Sequence, residues 1–326
     1  MNCLLDKIGN TPLVHHHYND NKKLNLFFKL ELYNPTGSIK DRAASYMLKT
    51  LLKRKIINQN TTIIESSSGN FGIALAAHCR RHKLKFICVV DPHITPINEI
   101  LVKAYGGIVI KVTQPDENGG FLINRIKRVN ELVNEIDNSY WINQYENPLN
   151  AEAYHTLGEE LVNEVKKIDY IFLGVSSGGT ITGVSTKIKE LLPETKIIAV
   201  DVEGSVIFGG QPKKRLIPGI GSSKVPEILK DAKIDEVVMI DELETIKSCH
   251  ELMEKYYIFA GGSSGSVYAA IKKYFNGKNI NKSVNVVAIL ADRGERYTNT
   301  IYNEEWCKKY IREYSKLYVL EEELNN

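Results

Sequence analysis

Short apolar runs alternate with helical stretches along almost the whole chain, and this alternation limits the architecture more than any other feature. Strand-like runs lie at 26–30, 62–65, 86–91, 108–112 and 140–143, then at 170–175, 196–201, 236–240 and 284–290. Apolar residues at helical spacing fill the intervals, at 71–82, 98–105 and 121–136, then at 151–165, 182–192, 242–257 and 266–275. Runs that are apolar throughout suit strands covered on both faces, and intervening helices supply the crossovers that parallel strands require. The fold class is therefore α/β with mainly parallel sheets. At 326 residues the chain exceeds one small core, so one or two lobes are expected.

Composition excludes several classes. A net charge of +3 with both signs interspersed leaves no footprint for nucleic acid or a membrane surface. No apolar stretch approaches the roughly 20 residues of a membrane span. The first residues lack the basic start and apolar run of a signal peptide. Five scattered cysteines without a CxxC pair suit reduced thiols in the cytoplasm. His15, His16 and His17 are adjacent, but on a strand they alternate faces and cannot all reach one ion, so no metal is expected.

The stretch Asn34 to Arg42, NPTGSIKDR, is the chemical centre of the sequence. Pro35, Thr36 and Gly37 make a turn, Ser38 can cap a helix, and Ala44, Met47, Leu48, Leu51 and Leu52 give that helix a buried face. Lys40 then lies in the first turn, at the positive end of the helix dipole. Partial burial would lower its pKa further and ready it for Schiff-base chemistry. An ordinary surface lysine at a turn is the plainer reading.

Three later strand-to-helix turns are rich in glycine and serine: SSSGN at 66–70, GVSSGGTITG at 174–183 and AGGSSGS at 260–266. Ligands of α/β folds gather at the carboxyl ends of strands, and helix starts offer free N–H groups to anions. The second turn is neither a Walker loop nor the dinucleotide fingerprint. Each turn alone is common. A lysine, a phosphate-sized cradle and hydroxyl-bearing loops together suit pyridoxal 5′-phosphate.

With PGIG at 218–221 and GERY at 294–297, these motifs resemble the cysteine synthase/cystathionine β-synthase group of fold-type II pyridoxal-phosphate enzymes. The resemblance runs in order from about Leu4 to Tyr302 and implies a tryptophan synthase β-like fold of two three-layer α/β/α lobes. Residues 1–42 and 146–326 would form the larger, cofactor-binding domain and 43–145 a smaller mobile one. Lys40 would carry the internal aldimine and transfer protons, and Asn70 would meet the ring hydroxyl oxygen. Ser177, Gly178, Gly179 and Thr180 would hold the phosphate. Ser264 would meet the pyridine nitrogen, Ser263 being the alternative beside it. Ser67, Ser68, Asn70 and Gln144 would bind the substrate carboxylate. A homodimer is implied.

Departures from the cysteine synthases are Phe71 in place of threonine, Gln144-Tyr145 in place of Gln-Phe, and Asp292-Arg293 in place of Ser-Ser before Gly294. These, with GSVIFGG at 204–210 and YWINQY at 140–145, are similar to the siderophore-type branch, the N-(2-amino-2-carboxyethyl)-L-glutamate synthases. That branch joins O-phospho-L-serine to L-glutamate through an aminoacrylate for L-2,3-diaminopropionate biosynthesis, and an NAD-dependent dehydrogenase would act on the adduct. Positions matching Arg125, Tyr145 and Ser176 are where it holds its second substrate. On a helical wheel Arg125 falls with Leu122 and Val129 inside the apolar arc, where a charge needs a partner. That partner is substrate or a structural carboxylate. Tyr145 could equally be a core aromatic, and Arg293 either meets the leaving phosphate or pairs with Asp292. The alternatives are a cysteine synthase using O-acetylserine or O-phosphoserine with sulfide, and a non-catalytic regulatory protein on the same fold.

Overall fold

A computed structural model of the protein describes residues 3–18, 21–115 and 120–311. Ten strands follow in chain order: β1 (Leu13–Tyr18), β2 (Asn21–Leu30), β3 (Thr62–Ser66), β4 (Lys85–Val90), β5 (Ile108–Lys111), β6 (Ser139–Trp141), β7 (Tyr170–Gly174), β8 (Lys196–Val202), β9 (Glu236–Ile240) and β10 (Val284–Leu290). They form two sheets, ordered β1-β2-β10-β7-β8-β9 and β5-β4-β3-β6. Every pairing is parallel except the β1/β2 hairpin at one edge of the larger sheet. The apolar runs have this cause: β3 is buried at all five positions, and β4 and β8 are exposed only at their first residue.

The helices are α1 (Lys40–Lys53), α2 (Asn70–Arg81), α3 (Pro96–Ala104), α4 (Leu122–Glu135), α5 (Leu149–Glu152), α6 (His155–Val165), α7 (Gly179–Leu191), α8 (Glu242–Tyr256) and α9 (Gly262–Phe275). One apolar cluster joins Met47 and Leu48 of α1, Ile73 of α2 and Phe86 of β4 to Ile181 of α7 and Leu173 of β7, so the two sheets share a core. A second, around Phe28, Phe172 and Tyr268, fills the opposite face of the larger sheet under α8 and α9. Val129 and Leu132 of α4 cover the outer face of the smaller sheet.

Several boundaries differ from the sequence reading, each for a physical reason. The helix expected over 151–165 is broken between α5 and α6, where α7 presses so close that a Cβ on Gly183 would lie 2.0 Å from Ala151 O. Helices α7 and α9 begin three and four residues earlier than 182 and 266, because tertiary packing overrides the low helix propensity of glycine and serine. Strand β2 starts at Asn21 rather than 26: Asn21 pairs with Tyr18 of β1, and Leu24 and Asn25 pair with Val284 and Asn285 of β10. Ser38 is not the cap: Ile39 occupies that position, and Ser38 Oγ accepts the Lys40 N–H at 3.3 Å. His15 and His17 share one face of β1, while His16 turns to the other and packs on Phe28 and Tyr256. Of the charged tail beyond Trp306, residues 312–326 lie outside the described residues.

A buried ionic network fixes the start of α1. The Arg42 guanidinium donates to both carboxylate oxygens of Glu31 at 2.7 Å and to those of Glu160 on α6 at 2.8 and 2.7 Å. Thr11 and Asn34 also donate to Glu31, and Lys29 of β2 pairs with Glu160 and Glu164. Asp41 accepts the N–H and hydroxyl of Thr36 through one oxygen and meets His78 Nε2 of α2 through the other, at 3.0 Å. Replacing Arg42 with alanine strands Glu31, which has no exposed surface, without its cation. The expected loss is about 3–5 kcal/mol, measured by urea unfolding, and Arg42→Lys restores only part of it because one ammonium cannot reproduce two bidentate pairs.

Candidate active site

Parallel pairing sets the carboxyl ends of the central strands side by side, and the chain turns there into its most unusual sequences. Leu290 of β10 is level with Leu30 of β2. Just beyond, Ile39 N donates to Ala291 O at 2.8 Å and Ser38 is bridged to Asp292. This stitch places Lys40 at the mouth of a cavity also lined by Asn70, Ser176, Ser177, Gly178, Thr180, Gly219 and Ser263. Its floor is apolar, from Leu173 and Ile289 of neighbouring strands.

Lys40 is the one charged residue lining this cavity, and its Nζ has no hydrogen bond or ion pair among the described residues. Desolvation lowers its pKa to about 8, with Asp292 working in the opposite direction. Facing it is the first turn of α7. Gly178 takes the left-handed conformation, φ +83°, and the first donor into the helix ladder is Thr182, to Gly178 O at 3.0 Å. The N–H groups of Ser177, Gly178, Gly179 and Thr180 therefore have no acceptor among the described residues, as at any helix start. Gly179 points its missing side chain away from the cavity, where a Cβ would strike the Asn150 amide at 2.4 Å.

Asn70 opens α2 and gives Nδ2 to Asp292 Oδ2 at 2.7 Å, while its own Oδ1 is buried without a partner. At the start of α9 the structure shifts the expected contact by one residue. Ser264 is fully buried with its Oγ accepting the Ala291 N–H at 3.0 Å, whereas Ser263 lines the cavity. Successive helical residues point about 100° apart, so only one of two adjacent serines can face the site.

Of the other expected residues only Ser176 lines this cavity; Ser67, Ser68, Arg125, Gln144 and Tyr145 do not. Ser67 Oγ accepts the Gly72 N–H at 3.1 Å, and Gln144 Nε2 donates to Ser66 O at 3.3 Å. Arg125 is 13% exposed and gives Nη1 to Asp91 at 3.1 Å and to Ser68 Oγ at 3.5 Å, but its buried Nε has no partner. The apolar-arc placement thus stands, with a carboxylate at the end of β4 as partner. Tyr145 is half-buried, and its hydroxyl is raised in pKa by burial and opposed by Arg125 and Arg215. Ser176 Oγ donates to Gly221 O at 3.1 Å, tying the α7 turn to the segment that carries Arg215. Arg293 does not pair with Asp292; its Nε donates to Leu32 O at 2.8 Å.

Sequence reasoning missed three residues here. Arg215 is half-buried, and its hydrogen bonds go only to neutral groups, Ile220 O and Ser223 Oγ. Glu65 lies buried beneath the serine turn, accepting the N–H groups of Ser66 and Gln144, and burial raises its pKa to about 7. Asp292 registered only as a departure from a motif. Its place two residues past the carboxyl end of β10 was the available signal.

Unpaired helix N–H groups, an unpartnered amide oxygen and a free lysine amine fit a phosphorylated aldehyde with a hydroxylated ring. Comparison with known proteins agrees. Residues 4–292 match the family model described as pyridoxal-phosphate dependent enzyme. An O-acetylserine dependent cystathionine β-synthase from Helicobacter pylori superposes with TM-score 0.85 and 32% identity, over 92% of this chain and 98% of that one. An O-ureido-L-serine synthase superposes with TM-score 0.85 at 26% identity, over 93% and 96% of the two chains. A hydrogen sulfide-producing enzyme from Fusobacterium nucleatum does so with TM-score 0.84 at 28%, over 91% and 99%. The chain belongs to the pyridoxal-phosphate dependent enzyme family, as a fold-type II enzyme of the cysteine synthase/cystathionine β-synthase type that carries out β-replacement.

The lowered pKa of Lys40 has a measurable sign. In the cofactor-free protein, limited acylation followed by peptide mass spectrometry should give half-maximal labelling of Lys40 near pH 8. An unperturbed lysine would gain label only toward about pH 10.4. The unfolded chain keeps the Lys40 proton to the higher pH, so this group adds stability as pH rises through that window.

Proposed function

We propose that this enzyme joins O-phospho-L-serine to the amino group of L-glutamate, releasing phosphate and forming N-(2-amino-2-carboxyethyl)-L-glutamate for L-2,3-diaminopropionate and siderophore biosynthesis. The observation that carries the reading is the pair of guanidinium groups, Arg125 and Arg215, within electrostatic reach of the Tyr145 hydroxyl beyond the Ser176 edge of the cavity. A dicarboxylate nucleophile needs cations and donors to bind, whereas sulfide needs none. Arg125 Nε and the neutral partners of Arg215 leave both groups capacity for a further anion.

Pyridoxal phosphate, when bound, supplies an aldehyde for amine condensation and an electron sink beside the substrate Cα. In this reading Lys40 holds it through Nζ, the N–H groups of 177–180 with the Ser177 and Thr180 hydroxyls hold its phosphate, Asn70 its ring hydroxyl oxygen, and Ser263 its ring nitrogen. A neutral serine there leaves that nitrogen largely unprotonated and suits elimination and replacement. Ser67, Ser68, Asn70 and Gln144 orient the carboxylate of phosphoserine, which requires the Gln144 amide to leave Ser66 O. Lys40 Nζ, freed when the phosphoserine amine takes its place on the cofactor, would take the Cα proton, and the Cβ–oxygen bond would break with phosphate departing with the electron pair. The glutamate nitrogen then bonds to Cβ and loses a proton, and Lys40 Nζ returns a proton to Cα. Residues 43–145 act as the smaller mobile domain, whose closure over 1–42 and 146–326 excludes water during the exchange. The product needs an oxidative cleavage, for which an NAD-dependent dehydrogenase is the fitting partner. A cytoplasmic homodimer completes the proposal.

The Arg125–Asp91 ion pair favours the alternative, a cysteine synthase in which Arg125 is structural. Both are separated by giving the loaded enzyme O-phosphoserine with glutamate or sulfide and identifying products by mass spectrometry. Glutamate should yield the adduct while sulfide reacts poorly. Arg125→Ala and Arg215→Gln should each keep phosphoserine-dependent spectral change while raising the KM for glutamate about tenfold or more, roughly 1.4 kcal/mol of lost binding. Cysteine accumulation with sulfide, and no response of the variants to glutamate concentration, identifies the cysteine synthase instead.

A further inference from the structure

Asp292 is a carboxylate in an unusually dry place. It is 1% exposed, follows β10 by two residues and is bridged through its backbone to Ser38, two residues before Lys40. Its carbonyl accepts the Gly261 N–H at 2.9 Å, which ties the start of α9 to the same point. Oδ2 accepts from Asn70 Nδ2 at 2.7 Å and from the Tyr297 hydroxyl at 2.9 Å, while Oδ1 has no partner among the described residues. A carboxylate with so little solvent requires donors and cations to remain ionised.

The titratable and charged groups facing it come from four segments. They are Lys40 on α1, Arg296 and Tyr297 just after β10, Cys249 on α8, and Tyr302. Arg296 is engaged with Thr36 O and makes no ion pair with Asp292. Burial raises the acid's pKa, and Arg296, the two hydrogen-bond donors and Lys40 oppose that rise. Removing the carboxylate would leave Lys40 with its desolvation uncompensated, and would free the Asn70 amide to turn about its own axis.

We infer that Asp292 is a positioning residue for Lys40 and Asn70: its buried carboxylate, bridged to the turn that delivers Lys40 and left with one unpartnered oxygen, is the acid set beside the unpaired Lys40 Nζ, and its bond to Asn70 Nδ2 fixes which end of that amide faces the cavity. A merely structural Asp292, holding the turn 291–297 on α9, would affect folding stability and nothing that titrates at Lys40. The inference rests on the reading that Lys40 carries the cofactor, and the experiment has one arm that does not need it.

The test uses Asp292→Asn and Asp292→Ser beside the wild type and Tyr297→Phe, which removes one donor but no charge. In the holoenzyme, the pH midpoint of the visible absorbance change should fall by about one unit or more in both Asp292 variants. In the cofactor-free protein, the pH of half-maximal Lys40 acylation should fall likewise, and Tyr297→Phe should stay close to wild type in both readings. Unchanged midpoints in Asp292→Asn, whatever happens to its melting temperature, overturn the inference. If Asp292→Asn does not fold, Asp292→Ser decides by the same two readings. If the wild type develops no visible band with pyridoxal phosphate, yet the Asp292 variants show the acylation shift, the Lys40 reading fails and the Asp292 inference stands.

Discussion

The bidentate pairs of Arg42 with Glu31 and Glu160 govern where Lys40 can be. Lys40, Asp41 and Arg42 are consecutive on one helical turn, and a helix sends three successive side chains in three directions. Arg42 goes to the carboxylates beside the larger sheet, Asp41 to the turn behind it and to α2, and Lys40 to the cavity. Such a buried network adds little net stability compared with an apolar replacement, because desolvation cancels most of the attraction. What it adds is definition: no other rotation of α1 satisfies Glu31 and Asp41 together.

Around that fixed point the two sheets contribute unequal parts. The larger one supplies the strand ends that carry the α7 turn and Asp292, and the serine pair at the start of α9 is bonded to the second of these. The smaller one supplies the SSSGN turn and, through β4 and α4, the Asp91–Arg125 pair. Their shared apolar cluster means that any movement of 43–145 must occur as sliding across a packed surface rather than as swinging on a free hinge.

Much of this was legible in the chain. The uninterrupted apolar runs announced covered parallel strands, and NPTGSIKDR with the three glycine–serine turns announced the cavity. What stayed hidden was anything decided by a partner distant in sequence. Arg125 reads as a buried-side arginine from its own helix, yet its carboxylate, Asp91, ends a strand more than two elements away. Ser263 and Ser264 are equivalent as letters, and only the Ala291 N–H distinguishes them. Arg215 sits in no motif, on a segment without regular structure, so periodicity offered nothing to notice. The break between α5 and α6 is imposed by the close approach of α7 and has no local signal.

The turn proposed to hold phosphate is built entirely from neutral groups: backbone dipoles and hydroxyls, with no lysine or arginine among the residues lining it apart from Lys40 itself. An anion held by fixed dipoles exchanges no counterions with a cationic side chain, and at close range inside a cavity those dipoles are little screened. Affinity there should hardly vary with ionic strength. In the proposed reading Arg125 and Arg215 would be the reverse case, cations whose attraction for a dicarboxylate would fade as salt rises. One active site would thus respond to salt at one end and ignore it at the other, so the ionic composition around the enzyme would tune which nucleophile it takes without loosening its grip on the cofactor.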